Sequence, residues 1–407
     1  MNNQFDQIID RQNTNALAFD GYESYLFGPN ESFPKIKYSK QELISMWVAD
    51  MQFAAPPCAI EAMKQRLEHP IFGYTMNFSD ELYQVFGGWC KNKYDWDFPQ
   101  EEMQVSLGVI PALIGLVEYI CEPGEKVLAF TPSYGFFKLA CMRVGREFIT
   151  SKLKENNNEY NIDFEDFEKK ASDPKTRLLL LCHPHNPVGR IWTNDELKQI
   201  GNICFKYNMK IVSDEIHCDL LRKGLTHTPL AKLFPGNINI VTCMAVSKTF
   251  NLAGLMVATI IIPDPELRKD WMQKQYSLVN PMSLAAAVGV YREGVGWLEE
   301  LKDYLDANFS LLQDFLKTNF PKIQFKIPQA TYLAWVDFTE YFPPNTNLTK
   351  FFLENSGVIL EGSEMFVENG GLRVRLNLAC PRSQIQLALD RMKQALINHT
   401  PLRSGVK

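Results

Sequence analysis

The sequence predicts an α/β fold, in which a mostly parallel sheet covered by helices is followed by a smaller α+β domain. Three observations predict it: the chain length, a set of short apolar runs before about residue 285, and a change of pattern after that point. With 407 residues, the chain is too long for one small core, which indicates two domains or one large domain with a smaller companion.

Short apolar runs in the first part of the chain predict buried strands. Continuous apolar runs of this length are typical of strands covered on both faces, as in a mostly parallel sheet. We therefore expect these runs to lie in one sheet. They are Lys126–Phe130, Arg177–Cys182, Lys210–Ser213 and Val257–Ile262.

A helix is predicted between the second and third of these strands. Thr193 and Glu196 have the spacing of a capping box, in which each side chain bonds the other residue's backbone N–H group. Leu197, Ile200 and Ile203 then follow on one helical face. This segment therefore has the pattern of a strand–helix–strand unit.

The pattern changes after about residue 285. Apolar residues recur every three or four positions from Leu298 to Leu312, which predicts a long amphipathic helix. A final helix is expected after Pro381. The short strands expected between these helices are Tyr332–Asp337, Val358–Leu360 and Leu372–Leu376.

These patterns predict three segments. Residues 1–45 are expected to form an N-terminal arm that packs with the small domain. Residues 46–285 are expected to form the large domain, and residues 286–407 the small α+β domain.

The composition argues against several classes of partner. The net charge of −5 and the absence of a Lys/Arg-rich run disfavour nucleic-acid binding. The polar N-terminus lacks the features of a signal peptide, and no apolar stretch is long enough to span a bilayer. The nine cysteines form no C-x-x-C pair, which is typical of reduced thiols, so we expect a cytoplasmic protein.

Three chemically distinctive residues follow apolar strands: Asn186, Asp214 and Lys248. Each has an ordinary structural explanation. Asn186 could belong to a structural turn, Asp214 could cap a helix or pair with an arginine, and Lys248 could be a solvated lysine at a strand end. Together they would converge on one edge of a parallel sheet, where ligands of open α/β sheets bind. A partly desolvated lysine at such an edge can form a Schiff base, and a carboxylate there can keep a ring nitrogen protonated.

A metal hydrolase is the main alternative site. His183, His185, Asp214 and His217 lie near the same predicted strand ends and could serve as ligands. However, the sequence contains no H-E-x-x-H motif, and Pro184 separates the first two histidines. We therefore expect no metal.

Three motifs resemble the fold-type I enzymes of the class I/II aminotransferase group, which depend on pyridoxal 5′-phosphate (PLP). They are H-N-P-x-G over residues 185–189, S-D-E over 213–215 and S-K-T-F-N over 247–251. The resemblance covers nearly the whole chain. It implies that Lys248 forms the Schiff base, that Asp214 pairs with the ring nitrogen and that Asn186 donates to the ring oxygen.

The resemblance extends to the cofactor phosphate and ring. It implies that Tyr134 stacks on the ring and that Ser247 contributes a hydroxyl to the phosphate. The backbone N–H groups of Val109 and Ile110, at the start of a predicted helix, could hold the phosphate. Many aminotransferases have a phosphate-binding arginine where this chain has Met256.

Two further roles are implied at the substrate side. Arg375 takes the position of the arginine that binds the substrate carboxylate, whereas Arg373 is expected to be a surface arginine. His217 stands where aminotransferases usually have a tyrosine that bonds the ring oxygen, and we expect it to contact the cofactor.

A narrower resemblance is to the cystathionine β-lyase and cysteine-S-conjugate β-lyase branch of the maltose-regulon-modulator type. In that branch the tyrosine matching Tyr74 reaches the phosphate of the neighbouring subunit, which implies a homodimer. Gln52 departs from the aspartate that the branch often has there. The segments that carry this resemblance are Trp47–Phe53, Ile71–Tyr74, Ser213–His217 and Cys380–Ser383.

The resemblance therefore implies a PLP-dependent α,β-elimination from cystathionine or another L-cysteine S-conjugate, giving pyruvate, ammonia and a thiol. Spacing and composition do not separate this reaction from amino-acid transamination, which begins with the same removal of the Cα proton. A third hypothesis is that the protein regulates transcription by protein contact, because some relatives modulate a transcriptional activator in this way. Retention of Lys248, Asp214 and Asn186 favours an enzyme.

Overall fold

The computed structural model describes residues 3–28, 33–76, 79–275, 278–368 and 371–399. Short apolar runs form most strands of its central sheet, and amphipathic segments form many of its helices. The strands are β1 (Ile44–Ser45), β2 (Met103–Ser106), β3 (Lys126–Thr131), β4 (Ser133–Tyr134), β5 (Glu147–Lys152), β6 (Lys154–Asn156), β7 (Glu159–Asn161), β8 (Thr176–Cys182), β9 (Lys210–Asp214), β10 (Ile240–Met244), β11 (Ala258–Ile261), β12 (Leu333–Asp337), β13 (Val358–Ile359), β14 (Glu361–Gly362), β15 (Phe366–Val367) and β16 (Arg373–Asn377). The α-helices are α1 (Leu17–Asp20), α2 (Tyr22–Phe27), α3 (Pro57–Leu67), α4 (Asp80–Tyr94), α5 (Val109–Ile120), α6 (Gly135–Arg143), α7 (Phe164–Ala171), α8 (Asn194–Lys206), α9 (Val246–Thr249), α10 (Pro265–Lys274), α11 (Pro281–Glu293), α12 (Val295–Asn319), α13 (Leu348–Ser356) and α14 (Arg382–His399).

The central sheet has seven strands in the order β2–β11–β10–β9–β8–β3–β5. Strands β10, β9, β8, β3 and β5 run parallel, which confirms the mostly parallel sheet. The predicted Val257–Ile262 run forms β11, which is antiparallel to both β10 and β2. A run buried on both faces does not encode strand direction, so this reversal was not visible in the sequence.

Helices cover both faces of the sheet, and local capping fixes where the predicted helix α8 begins. The Glu196 N–H donates to Thr193 Oγ1 at 3.2 Å, and the Thr193 N–H donates to Glu196 Oε2 at 2.8 Å, which confirms the capping box. Leu197 and Ile200 on this helix are fully buried in an apolar cluster that also contains Leu179 of β8.

The C-terminal part contains the antiparallel sheet β12–β16–β14 and the helices α12, α13 and α14. The long amphipathic helix and the final helix are both confirmed, at α12 and α14. Their apolar faces share one buried cluster with the sheet, including Phe309, Leu376 and Leu389.

The N-terminal segment packs against later parts of the chain. Phe5 is buried, and its ring lies 5.0 Å from Phe53 and 5.5 Å from both Trp297 and Tyr304, measured between centroids. Strand β1 pairs in parallel with β13. The boundaries at residues 45 and 285 stay predictions.

Candidate active site

A pocket of about 340 Å³ lies at the carboxyl ends of β8, β9 and β10. Nine of the predicted site residues line it, which means that residues distant in sequence converge there. The tenth, Tyr74, lies outside this pocket and is 94% exposed. The nine are Val109, Ile110, Tyr134, Asn186, Asp214, His217, Ser247, Lys248 and Arg375.

The sheet register explains this convergence. Asp214 ends β9 and pairs with Cys182, the last residue of β8, and with Cys243 near the end of β10. Asn186 and Lys248 each follow their strands by four residues. Because parallel strands end at the same edge, the three side chains meet in one pocket.

Asp214 is a buried carboxylate whose Oδ1 accepts the Ile216 N–H at 3.2 Å. Among the described residues it forms no ion pair. Burial raises its pKa to about 7, although the Ile216 N–H and the charge of Lys248 both act in the opposite direction. A buried carboxylate without a counter-cation is costly, so this position favours a ligand that presents a protonated nitrogen.

Lys248 lies on the short helix α9 and points into the pocket. Its Nζ donates to the Ala49 carbonyl oxygen at 2.6 Å, and the Tyr332 hydroxyl donates to the same oxygen at 2.7 Å. Burial, followed by the charge of Arg375, lowers the pKa of the Lys248 ammonium to about 8. A lysine whose pKa is lowered in this way can lose its proton near neutral pH and act as a nucleophile or base.

Arg375 lies in β16 and is only 2% exposed. Its Nη1 donates to Asn186 Oδ1 at 3.3 Å, and its Nη2 donates to the Trp47 carbonyl oxygen at 3.1 Å and pairs with Glu361. Its buried Nε has no hydrogen-bond partner among the described residues. The guanidinium therefore keeps an unused donor next to the pocket.

Arg373, two residues earlier in β16, is not the surface arginine that the sequence predicted. It is 7% exposed, and its Nη2 lies 2.8 Å from Glu155 and 2.6 Å from Asp337. The expectation was wrong because Arg373 lies in the central strand of the small sheet, where carboxylates from β12 and from a distant segment cover it. The side chain thus has a structural ion-pair role.

One end of the pocket is formed by backbone and neutral side chains. Gly108 precedes α5 with a φ of 119°, in the region that favours glycine, and the first N–H groups of α5 begin at Val109 and Ile110. Such N–H groups lack intrahelical acceptors and bind anions. Ser247 and Met256 also line the pocket.

The ring-facing candidates come from two other segments. Tyr134 in β4 pairs with Phe366 of β15, which ties its position to the C-terminal part of the chain. His217 is buried, its Nδ1 has no hydrogen-bond partner among the described residues, and burial lowers its pKa to about 3. It is therefore a neutral imidazole at physiological pH.

The histidines of the metal alternative point to other partners. His183 Nε2 lies 3.1 Å from the Thr228 carbonyl oxygen, and His185 Nε2 lies 2.9 Å from the Pro132 carbonyl oxygen. Across residues 3–399, apart from the gaps given above, no group of three or more His, Cys, Asp or Glu residues could hold a metal ion.

Gln52, which departs from the branch pattern, has a structural position. It is 7% exposed, its side chain donates to the Ser45 carbonyl oxygen, and its backbone N–H donates to the Ala379 carbonyl oxygen at 2.8 Å. These bonds hold the loop that presents Ala49 to Lys248.

Sequence reasoning missed two residues at this site, Tyr332 and Glu361. Tyr332 shares the Ala49 carbonyl oxygen with Lys248, and Glu361 pairs with Arg375. A glutamate directly after the apolar run Val358–Leu360 was a usable signal, because a buried carboxylate requires a partner. Nothing in the sequence distinguished Tyr332 from a core aromatic residue.

The nine cysteines are free, and eight of them are buried. In the part of the chain that the structure describes, no helix is both long and apolar enough to cross a membrane.

The fold and the pocket define a class of protein that comparison with known sequences identifies. The profile of the aminotransferase class I and II family matches residues 41–392, and the chain belongs to this family. Its fold is that of the PLP-dependent fold-type I enzymes.

Individual relatives are similar over nearly their full length. The chain is 37% identical to the cystathionine β-lyase PatB of Bacillus subtilis, covering 96% of this chain and 99% of PatB. It is 30% identical to the protein MalY of Escherichia coli, covering 94% and 96%. A PLP-bound C-S lyase from Staphylococcus hominis, in complex with the inhibitor L-cycloserine, superposes with a TM-score of 0.94 at 43% identity, covering 97% and 98%.

Proposed function

We propose that the chain is a PLP-dependent carbon–sulfur β-lyase that converts cystathionine or another L-cysteine S-conjugate into a thiol, pyruvate and ammonia. The observation that carries the proposal is the full-length similarity to a cystathionine β-lyase and to a C-S lyase, at 37% and 43% identity. The pocket supports the same chemistry, because it places a lysine, a carboxylate and an arginine around one ligand-sized space.

The residues present fit the cofactor. Asp214 lacks a counter-cation among the described residues and would hold the ring nitrogen, while Asn186 and the neutral His217 would lie beside the ring oxygen. The start of α5 and Ser247 would hold the phosphate, Tyr134 would stack on the ring, and Lys248 would attach the cofactor covalently. Bound PLP supplies an electron sink for negative charge that develops at the substrate Cα.

Three of the chain's own residues have distinct roles in the reaction. Arg375 binds and orients the substrate carboxylate through its guanidinium fork. The Lys248 amine, whose pKa is lowered to about 8, takes the proton from the substrate Cα. Asp214 would keep the proton on the ring nitrogen. The thiolate would leave from the substrate Cβ and take a proton to become the thiol, and one water would hydrolyse the released enamine to pyruvate and ammonia.

An assay with and without an added keto acid separates elimination from transamination. We expect thiol and pyruvate release from cystathionine and S-methyl-L-cysteine without any keto acid. Amino transfer that requires a keto acid, with no thiol from any S-conjugate, would identify an aminotransferase instead. A colourless purified protein that gains no absorbance with PLP would favour a binding protein that acts by contact.

Arg375→Ala is expected to weaken amino-acid use far more than PLP binding. Loss of a charge-assisted bidentate contact is worth about 1.5–3 kcal/mol, which corresponds to roughly one to two powers of ten in kcat/KM. Steady-state kinetics and PLP titration measure the two effects. Arg373→Ala is the matched control, because Arg373 lies in the same strand but pairs with Glu155 and Asp337. Loss of kcat/KM in the control alone would contradict the assignment.

We also propose that the protein is a cytoplasmic homodimer in which Tyr74 completes the neighbouring site. Among the described residues, the cationic side chains that line the pocket are Lys248 and Arg375, which have other roles here. The end of the pocket at the start of α5, which would hold the phosphate, therefore receives no cationic side chain of its own from the described residues. Tyr74 lies in an exposed apolar stretch with Ile71, Phe72 and Met76, which are 56–69% exposed. An apolar stretch of this kind is typical of an interface.

Subunit mixing tests this arrangement. Tyr74→Ala is expected to weaken PLP binding about tenfold, as expected for loss of one hydrogen bond to a charged group. Mixed with a Lys248→Ala variant, it should recover tight binding and activity, because the mixed dimer has one site with both residues intact. If mixing restores nothing although exchange is complete, Tyr74 does not act across subunits.

A further inference from the structure

The buried ion pair between Glu361 and Arg375 is not explained by carboxylate binding. Strand β14 pairs with β16 so that Glu361 lies opposite Arg375, and their side chains are only 5% and 2% exposed. The proposed function assigns the same guanidinium to the substrate carboxylate. Two carboxylates therefore converge on one buried cation.

The hydrogen bonds of Arg375 show where the two carboxylates compete. The side-on edge of a guanidinium consists of Nε and Nη2, and a carboxylate that binds bidentately there uses both donors. In this structure Nη2 already donates to Glu361 and to the Trp47 carbonyl oxygen, whereas Nε has no partner among the described residues. A second carboxylate at this edge must share or displace the contact with Glu361.

We propose that Glu361 is a positioning residue that neutralises Arg375 in the free enzyme and takes up one proton when the substrate carboxylate binds. The inference rests on the proposed role of Arg375. The proton comes from the buffer and forms a neutral carboxylic acid at Glu361, so that one anion again balances the guanidinium. Glu361 would thus prevent an unpaired buried cation before binding and two adjacent anions afterwards.

The groups around Glu361 support this exchange. Burial raises the pKa of Glu361, the positive charges of Arg375 and Lys248 oppose this shift, and Glu364 adds to it. The charge of this carboxylate also contributes to raising the pKa of Tyr25, from the N-terminal segment, and of Tyr134, although burial is the larger cause for both. A substrate carboxylate adds negative charge and raises the pKa of Glu361 further. Binding is therefore expected to weaken as the pH rises through the interval between the two pKa values.

Calorimetry on the holoenzyme measures the proton directly. The probe is 3-(methylthio)propionate, which carries the carboxylate and the thioether but no amino group, so it cannot react with the cofactor. Titrations in phosphate and in Tris buffer at the same pH give the number of protons taken up, because the two buffers differ in ionisation enthalpy. We expect about one proton per bound probe in the wild type.

Glu361→Gln is the test variant, and Glu340→Gln is the matched control, since Glu340 is an exposed glutamate of the same C-terminal part that is not among the groups shifting the pKa of Glu361. We expect the Glu361→Gln substitution to remove the proton uptake and the control to retain it. The inhibition constant of the probe should rise by up to about tenfold per pH unit in the wild type over the interval where Glu361 titrates. In the Glu361→Gln variant that dependence should flatten.

The possible failures are distinguishable. Wild-type binding without proton uptake, or equal uptake in the Glu361→Gln variant, overturns the inference and leaves thiol release as a separate result. Equal affinity of the probe for wild type and Arg375→Ala means that the carboxylate binds elsewhere, which overturns the inference as well. If Glu361→Gln does not fold, the two-buffer measurement on the wild type still decides the number of protons.

Discussion

Lys248→Ala is expected to abolish thiol release together with the visible absorbance of covalently bound cofactor. Lys248 is the one lysine among the described residues that line the pocket, and its lowered pKa suits it both to attach the cofactor and to move the Cα proton. Acid–base catalysis alone is typically worth about 10²–10⁴-fold, and loss of the covalent link adds to this. Absorbance spectra and steady-state rates of PLP-saturated protein measure both effects.

The control for this substitution is Lys223→Ala, because the Lys223 side chain is 83% exposed and lies outside the pocket. It should keep the absorbance and the rate of the wild type. Added methylamine can partly replace a missing lysine amine, so partial rescue of Lys248→Ala would support a role in proton transfer. Wild-type absorbance and rate in Lys248→Ala would remove the basis for the assignment.

Asp214→Asn is expected to leave the fold intact but to reduce kcat strongly. An amide cannot balance the charge of a protonated ring nitrogen, and the charged hydrogen bond is worth about 1.5–3 kcal/mol in the ground state. More is lost as electron density moves into the ring, so we expect a decrease of at least about ten- to a hundredfold. The measurement is kcat of a variant whose bound PLP has been quantified.

Asp214→Asn also removes a buried ionisable group, which gives a second readout. The free carboxylate has a pKa raised to about 7 by burial, so without cofactor it costs stability as the pH rises through that value. The cofactor-free Asn variant should therefore lose less stability than the wild type as the pH rises from about 4, the ordinary pKa of an aspartate in an unfolded chain, to about 7, the pKa of the buried carboxylate. Asp314→Asn, at an exposed position of α12, is the control. Near-normal kcat in PLP-loaded Asp214→Asn would contradict the role of Asp214.

Much of the fold and of the pocket could be predicted from the sequence, because strong local signals agreed with the final packing. The apolar runs correctly predicted the positions of β3, β8 and β9, and the capping box correctly predicted where α8 begins. Parallel strands end at one edge, so Asn186, Asp214 and Lys248 could be expected to meet there.

The remaining features depend on contacts between distant segments. The antiparallel direction of β11 follows from its neighbours and not from its own apolar run. Arg373 is covered by Glu155 and Asp337, which lie 218 and 36 residues away in the sequence. The pairing of Glu361 with Arg375 likewise depends on the register of β14 on β16. No local periodicity encodes any of these contacts.

Product balance during complete conversion of an S-conjugate tests the central claim most directly. The account predicts that purified, PLP-loaded protein converts cystathionine to equimolar thiol, pyruvate and ammonia with no keto acid present, and that Lys248→Ala forms none of them. Retention of the substrate sulfur in a keto-acid product, with amino transfer to an added acceptor and no free thiol, would contradict it.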